Sequence, residues 1–218
     1  MRATAEAQNA AENASVHVSK LLPGLFNAIG EDQRVNVLHI GATPQDTLDF
    51  FGRYRCKLHI RDLFADLPIL QEAETKSEDS DAGNDPELST ADILDANFSE
   101  LLQLPDDTQF DICLFWDIFN FLSPGAMAAL MRQLRPHLHA KSTAHAFAMH
   151  NLRSPRANHF YGVQEYNALR VKERIPAAPG YMPHSQQALK RYLTCFRIDR
   201  TVLLPDSRLE LLLRSKCY

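Results

Sequence analysis

Residues 35–43, VNVLHIGAT, form a short apolar run that breaks off in turn residues, and residues 110–117, FDICLFWD, repeat that pattern. Short runs of this kind, bounded by turn or polar residues, are typical of buried strands in an open α/β sheet. Ligands bind to such sheets just beyond the carboxyl ends of the strands. The two runs therefore predict a nucleotide-type crevice near Gly41 and Asp117.

Helical and extended patterns alternate along the rest of the chain. Helices are expected over Val16–Ile29 (or from Leu22, with Pro23 in its first turn), after Asp46 or Thr47 as a cap, and over Leu63–Ala73, Pro124–Leu134, Val163–Val171 and Gln186–Leu193. Strands are expected over Cys56–Ile60, Thr143–Met149, Phe196–Leu204 and Arg208–Arg214, whereas Asp92–Leu104 fits either a strand or a helix. This order predicts a doubly wound α/β sheet that is mostly parallel, with an antiparallel strand in its C-terminal hairpin.

One domain, residues 16–218, accounts for these elements. The first fifteen residues have no apolar core, so we expect a disordered N-terminus without a secretory address. Residues 75–90 are acidic and serine-rich and predict a mobile excursion. No apolar run approaches the ~20 residues of a membrane span, and we expect a cytoplasmic protein.

Composition argues against several classes of function. The four cysteines are scattered and the histidines lie at no trusted ligand spacing, so no disulfide framework or metal site is indicated. Residues 151–218 carry twelve basic and five acidic side chains, but without interleaved aromatics they do not indicate nucleic-acid binding. A nicotinamide site would need a glycine-rich turn that the chain lacks.

Four segments between Leu21 and Arg214 lie where ligand-binding turns are expected. They are Val37–Thr43, a strand that enters a turn at Gly41; Asp62, at the end of the second strand; Leu104–Ile112, a Leu-Pro pair, an acidic loop and a Phe-Asp strand entry; and Phe119–Leu122, an apolar turn. In this order and spacing they resemble the class I S-adenosylmethionine-dependent methyltransferases. The resemblance implies the Rossmann-like sheet of that family.

The resemblance also implies a site for S-adenosylmethionine. It assigns to the cofactor His39, Gly41, Thr43, Asp62, Leu63, Glu100 and Trp116. Asp62 would hold the ribose hydroxyls, and Glu100 or Asp95 the adenine edge. Because the cofactor already carries the reactive methyl group, the protein would mainly align it with an acceptor. Asp117, His150 and Tyr161 are the candidates to orient or deprotonate that acceptor, an unidentified small molecule or protein.

Motif one departs from the family's pattern. His39 replaces its acid, Thr43 and Gln45 replace two of its glycines, and the chain has only eight glycines in all. A neutral imidazole offers one acceptor nitrogen and a protonated one offers none. Side chains at positions 43 and 45 would also enter space that glycine leaves free for the cofactor. The alternative is therefore a non-catalytic methyltransferase-like protein that acts as a binding or scaffold subunit with a protein partner.

Several of the assigned residues also have a purely structural interpretation. Gly41 fits a tight strand-to-helix turn, and Asp62 a surface acid. Trp116 fits a ring packed under a helix, with Asp117 as a helix cap. Asp111 is expected to accept backbone N–H groups at the entrance of its strand.

Overall fold

The computed structural model describes residues 14–27, 34–79, 89–153 and 158–217. The strands are β1 (Ala14–Val18), β2 (Val35–Ile40), β3 (Cys56–Arg61), β4 (Phe110–Trp116), β5 (Leu138–Met149), β6 (His159–Glu165), β7 (Ala168–Glu173), β8 (Phe196–Leu203) and β9 (Arg208–Ser215). The helices are α1 (Leu22–Phe26), α2 (Gln45–Phe51), α3 (Leu67–Asp79), α4 (Thr90–Leu102), α5 (Pro124–Leu134) and α6 (Gln186–Tyr192). No helix in these ranges is long and apolar enough to cross a membrane.

Six strands form the main sheet in the order β3-β2-β4-β5-β9-β8. The first four run parallel, and β9 is antiparallel to both of its neighbours. This is the predicted sheet with its antiparallel C-terminal hairpin strand. Almost every residue of β2 and β4 is buried, because both faces of the sheet are covered. Asp111 accepts the backbone N–H of Asn36 at 2.8 Å, as expected for a structural acid at a strand entrance.

A second, antiparallel sheet has the order β1-β7-β6, and the sequence did not predict it. The helix expected over 163–171 is wrong, because Leu169 and Val171 point inward and alternate with polar residues, the period of a strand. The helix expected from Val16 is wrong in its first part, which is β1. It begins at Leu22 with Pro23 in its first turn, as predicted, and ends at Phe26, whereas the predicted end at Ile29 lies outside the described residues.

The two faces of the main sheet bury separate cores. One core lies under α3, α4, α5 and α6 and includes Phe98, Phe115 and Met127. The other lies under α1, α2 and the second sheet and includes Phe26, Trp116 and Tyr161. The β6–β7 hairpin therefore lies on the sheet face that also carries α2, next to the predicted crevice.

The helix boundaries refine several predictions. Residues 92–104, which fit a strand or a helix, are largely α4, and Ser89 caps it in a capping box with Asp92. Residues 75–79 and 89–90 of the predicted excursion belong to α3 and to the start of α4, and 80–88 lie outside the described residues. The predicted cap of helix α2 at Asp46 or Thr47 is wrong, because the helix begins at Gln45 after Pro44, which has no side-chain acceptor. Thr47 lies inside the helix and accepts the backbone N–H of Val163 at 3.0 Å.

Candidate functional site

The predicted crevice lies at the carboxyl ends of β2, β3 and β4. Gly41 ends β2 with φ at +113°, a conformation that L side chains rarely adopt, so glycine is required there. The ring of Phe64 lies over it, 3.4 Å from the position that a Cβ would take. The turn at Gly41 thus has the predicted backbone, but an aromatic ring of the same chain covers it.

His39 and Trp116 are bonded to each other beneath the crevice. The indole Nε1–H of Trp116 donates to Nε2 of His39 at 3.0 Å, which leaves the imidazole proton on Nδ1. That nitrogen lies 3.2 Å from the carbonyl oxygen of Gly41 and 3.2 Å from Oγ1 of Thr43. Burial lowers the pKa of His39 to about 4, against the opposing effect of the Gly41 carbonyl, so the ring is neutral at pH 7. Both ring nitrogens are engaged within the protein.

Arg174, directly after β7, lies against the ring of Phe64, which in turn covers Gly41. Its guanidinium carbon lies 4.0 Å from the ring centroid of Phe64 and 4.0 Å from that of Phe160. The carboxylates of Asp117 and Asp62 attract it and oppose the lowering of its pKa by burial. Its backbone is held to Asn158 by N–H···O bonds of 2.9 and 2.6 Å. A buried cation between two aromatic faces thus takes the place beside Asp62 where the resemblance puts the adenosine.

Asp117 is fully buried where β4 ends. Its Oδ2 accepts the backbone N–H of His159 at 3.4 Å, and its Oδ1 has no hydrogen-bond partner among the described residues. Burial raises its pKa to about 7, although Arg174 and that N–H group act in the opposite direction. Oδ1 atoms of Asp62 and Asn120 are also buried without a described partner. The closed crevice therefore keeps several acceptors that Arg174 does not satisfy.

Of the three candidate catalytic residues, Tyr161 and Asp117 lie near each other, whereas His150 lies apart. Tyr161 is buried between the rings of Trp116 and Phe147, and Nη1 of Arg208 donates to its hydroxyl at 2.9 Å. Burial raises the pKa of Tyr161 well above its ordinary value. The Asp117 carboxylate, where β4 ends, adds to this effect, whereas His150 is exposed after β5.

The remaining predicted residues also lie apart. Leu63 is fully buried in the core, whereas Glu100 is on the exposed side of α4. The alternative acid, Asp95, pairs with Arg132 at 2.9 Å. The expectation that Gln45 enters cofactor space is wrong, because its amide turns outward to Asp49 at 2.7 Å. Thr43 does face inward, where it contacts His39.

What remains open beside the turn is a cavity of about 260 Å³. It is lined by Ala42, Thr43, Pro44, Phe160, Arg170 and Lys172. The β6–β7 hairpin limits it: a Cβ on Gly162 would lie 3.2 Å from Cβ of Pro44, and Arg170 pairs with Asp46 at 3.0 Å. No group of three or more His, Cys, Asp or Glu side chains in the described part of the chain could hold a metal ion.

S-adenosylmethionine does not fit this arrangement. The motif-one position offers a neutral imidazole whose nitrogens are already bonded, and the backbone turn is covered by Phe64. Arg174 adds a positive charge close to Asp62, the acid that the resemblance assigns to the cofactor, and so disfavours a cationic ligand there. The sequence did not identify Phe64, Phe160 or Arg174 as residues of the site. Arg174 lies between Glu173 and Ile175, and this local sequence has no pattern that indicates a functional arginine.

Comparisons with known proteins support the fold. No family model matches the chain, and no curated protein matches it. A proposed type 11 methyltransferase from Sulfolobus solfataricus superimposes with a TM-score of 0.50 at 12% identity, over 93% of this chain and 95% of that one. The chain thus has the fold of the class I S-adenosylmethionine-dependent methyltransferases.

Two further solved structures are similar at lower TM-scores. An S-adenosylmethionine-dependent methyltransferase from Clostridium acetobutylicum gives 0.45 at 13% identity, over 90% of this chain and 91% of that one. OxaC, solved with sinefungin and meleagrin, gives 0.46 at 14% identity, over 88% of this chain. The chain spans only 45% of the length of OxaC.

Proposed function

We propose that this protein keeps the methyltransferase fold without methyl transfer and acts as a binding or scaffold subunit. The observation that carries the proposal is the guanidinium of Arg174, held between Phe64 and Phe160 above the turn at Gly41. A cofactor could enter only after this side chain and the hairpin that bears it had moved. Its partner on this proposal is another protein, since the crevice leaves little room for a substrate.

The contacts of Arg174 make its displacement costly. Cation–π contacts are worth ~2 kcal/mol when the cation is desolvated, and here there are two. Asp117 and Asp62 add electrostatic attraction from within the crevice. A bound cofactor would have to replace these interactions without the acid that the family places at position 39.

Calorimetric titration with S-adenosylmethionine and with sinefungin tests the proposal. We expect no saturable heat from the wild-type protein. Arg174→Ala would remove the filling side chain, and Arg197→Ala is the matched control, an exposed arginine of β8. Micromolar binding by the wild type that Asp62→Ala abolishes would overturn the proposal.

One observation favours a second candidate, a methyltransferase whose hairpin opens. Oδ1 of Asp62 and Oδ1 of Asp117 are buried acceptors without a described partner, and such groups are costly unless a ligand or water satisfies them. Under this alternative, wild type and Arg174→Ala would both bind the cofactor, and hydrogen exchange of β6 and β7 would slow as it bound. Absence of binding by the wild type would exclude it.

A further inference from the structure

A second pocket lies at the opposite ends of the strands from the crevice. It is formed at the amino ends of β2 and β3, has a volume of about 550 Å³, and is lined by Arg34, Arg55, Cys56 and Lys57. This volume is within the range of small-molecule sites, ~300–1,000 Å³. Three of its four lining residues in the described part of the chain are cationic, although the protein as a whole has a net charge of −4.

The pairing of the two strands brings these cations together. Val35 pairs with Cys56 in parallel register, and its N–H donates to the carbonyl oxygen of Arg55 at 3.0 Å. Arg34 and Arg55 therefore precede neighbouring strands side by side, and Lys57 follows two residues after Arg55. Like charges at such short separation repel unless an anion lies between them. The strand pairing therefore places the three residues next to one another in the backbone.

The described part of the chain offers no carboxylate to neutralise these three side chains. Asp111 is near enough to influence Cys56, but its oxygens are engaged with the N–H of Asn36 at 2.8 Å and with His139 at 3.2 Å. The thiol adds no negative charge, because burial, with a smaller effect of Asp111, raises the pKa of Cys56 to about 11. Among the described residues, the three cationic side chains of this pocket thus outnumber the one carboxylate beside it, that of Asp111.

We infer that this pocket binds a phosphate-bearing small molecule through Arg34, Arg55 and Lys57. Arginine matches phosphate oxygens with paired N–H donors, and lysine adds a point charge. The volume exceeds that of a single phosphate ion, so a diphosphate or a nucleotide fits the pocket better. This inference does not depend on whether the crevice binds a cofactor, because the two sites lie at opposite ends of the strands.

The probe is inorganic pyrophosphate, titrated calorimetrically into the full chain at low ionic strength. We expect saturable binding at one site and a loss of affinity of about tenfold or more in Arg55→Ala/Lys57→Ala, since hydrogen bonds to charged groups are worth ~1.5–3 kcal/mol. The control is Lys190→Ala/Arg191→Ala, which removes the same charge from α6, and its affinity should remain within about twofold of the wild type.

Two results would overturn the inference. The first is the absence of saturable heat, with a melting temperature that pyrophosphate raises no more than sodium chloride of equal ionic strength. The second is an equal loss of affinity in both double variants, which would indicate attraction by overall charge. Circular dichroism of each variant shows whether it is folded, and the single variant Arg34→Ala provides an independent measurement if the double variant is not.

Discussion

Glu210 lies in the middle of β9 with no exposed surface and anchors the N-terminal segment to the main sheet. Its carboxylate accepts hydrogen bonds from Ser19 Oγ and from Nε2 of His145, the latter at 2.9 Å. Nε2 of His17, on β1, lies 3.8 Å away. Since Ser19 and His17 precede α1 while His145 is on β5, one carboxylate joins three separate segments. We predict that replacing it destabilises the whole domain.

The expected loss of stability depends on which buried groups each substitution of Glu210 leaves without a partner. Glu210→Ala leaves the donors of Ser19 and His145 buried without an acceptor, and breaking a buried charged network costs ~3–5 kcal/mol. For a chain of this size that corresponds to a fall in melting temperature of about 6–20 °C. Glu210→Gln keeps the shape and one oxygen, so we expect a smaller loss, about 1.5–3 kcal/mol. Urea unfolding followed by circular dichroism measures both.

The loss should also depend on pH. Burial alone would raise the pKa of Glu210, but hydrogen bonds from His145 and Ser19, together with the nearby imidazole of His17, hold it below its usual range. The folded state therefore binds fewer protons at this group than the unfolded state, whose pKa is ~4.3. Its stabilisation is complete above that pH and is lost as the pH falls towards the folded pKa. The difference between wild type and Glu210→Gln should therefore shrink below about pH 4.

The matched control is Glu165→Gln, which removes an exposed carboxylate from β6. Glu165 is 63% exposed and pairs with Arg53 at 3.4 Å, so its replacement should change stability by less than ~0.5 kcal/mol. The reasoning is refuted if Glu210→Ala costs less than ~1 kcal/mol. A difference between wild type and Glu210→Gln that is constant from pH 7 to pH 3.5 would contradict the pH argument.

Three other substitutions test the crevice and a helix end. Trp116→Phe should cost about 1–3 kcal/mol, because it leaves Nε2 of His39 buried without a donor; urea unfolding by circular dichroism measures this, and an unchanged stability would contradict it. Asp117→Asn should reduce the pH dependence of the free energy of unfolding. Because burial raises the pKa of Asp117 to about 7, its contribution to stability falls as the pH rises from ~4 towards that value. Urea unfolding across this range measures the effect, and a variant whose stability varies with pH as much as that of the wild type would contradict it. Gln103→Gly, at φ +41° after α4, should raise the free energy of unfolding by about 0.5–1 kcal/mol, whereas a lower melting temperature would argue against strain at this residue.

The main sheet could be predicted because the sequence marks where its strands end. The run from Val35 to Ile40 is apolar and ends at a glycine, and the run to Trp116 ends at an acid. Helix α5 has Pro124 in its first turn, and Ser123 caps it by accepting the N–H of Ala126 at 3.0 Å. These signals act within a few residues of each other, so they survive in a single sequence.

The second sheet could not be predicted on the same basis. Its strands β1 and β7 pair across more than 150 residues of chain, and each alone is a short run with polar neighbours. Burial of Tyr161 and Leu169 depends on the face of the main sheet that receives them. The same limit applied to Glu210, although an acid inside the run Leu209–Leu213 was a visible signal that it needs buried partners.

The closure of the crevice has a different cause from the one that the sequence suggested. Gln45 points outward, so the lost glycine at that position does not by itself block the space. Thr47 instead anchors β6 to α2, and Gly162 packs on Pro44, which brings Phe160 and Arg174 over the turn. The loop after β2, with Pro44, and the first turn of α2, with Thr47, are therefore the surface on which the β6–β7 hairpin packs. A loop that binds a cofactor needs an exposed backbone, whereas a loop that supports a hairpin needs side chains that pack against it. Because loop and hairpin fit each other in this way, the closed crevice belongs to the core of the fold.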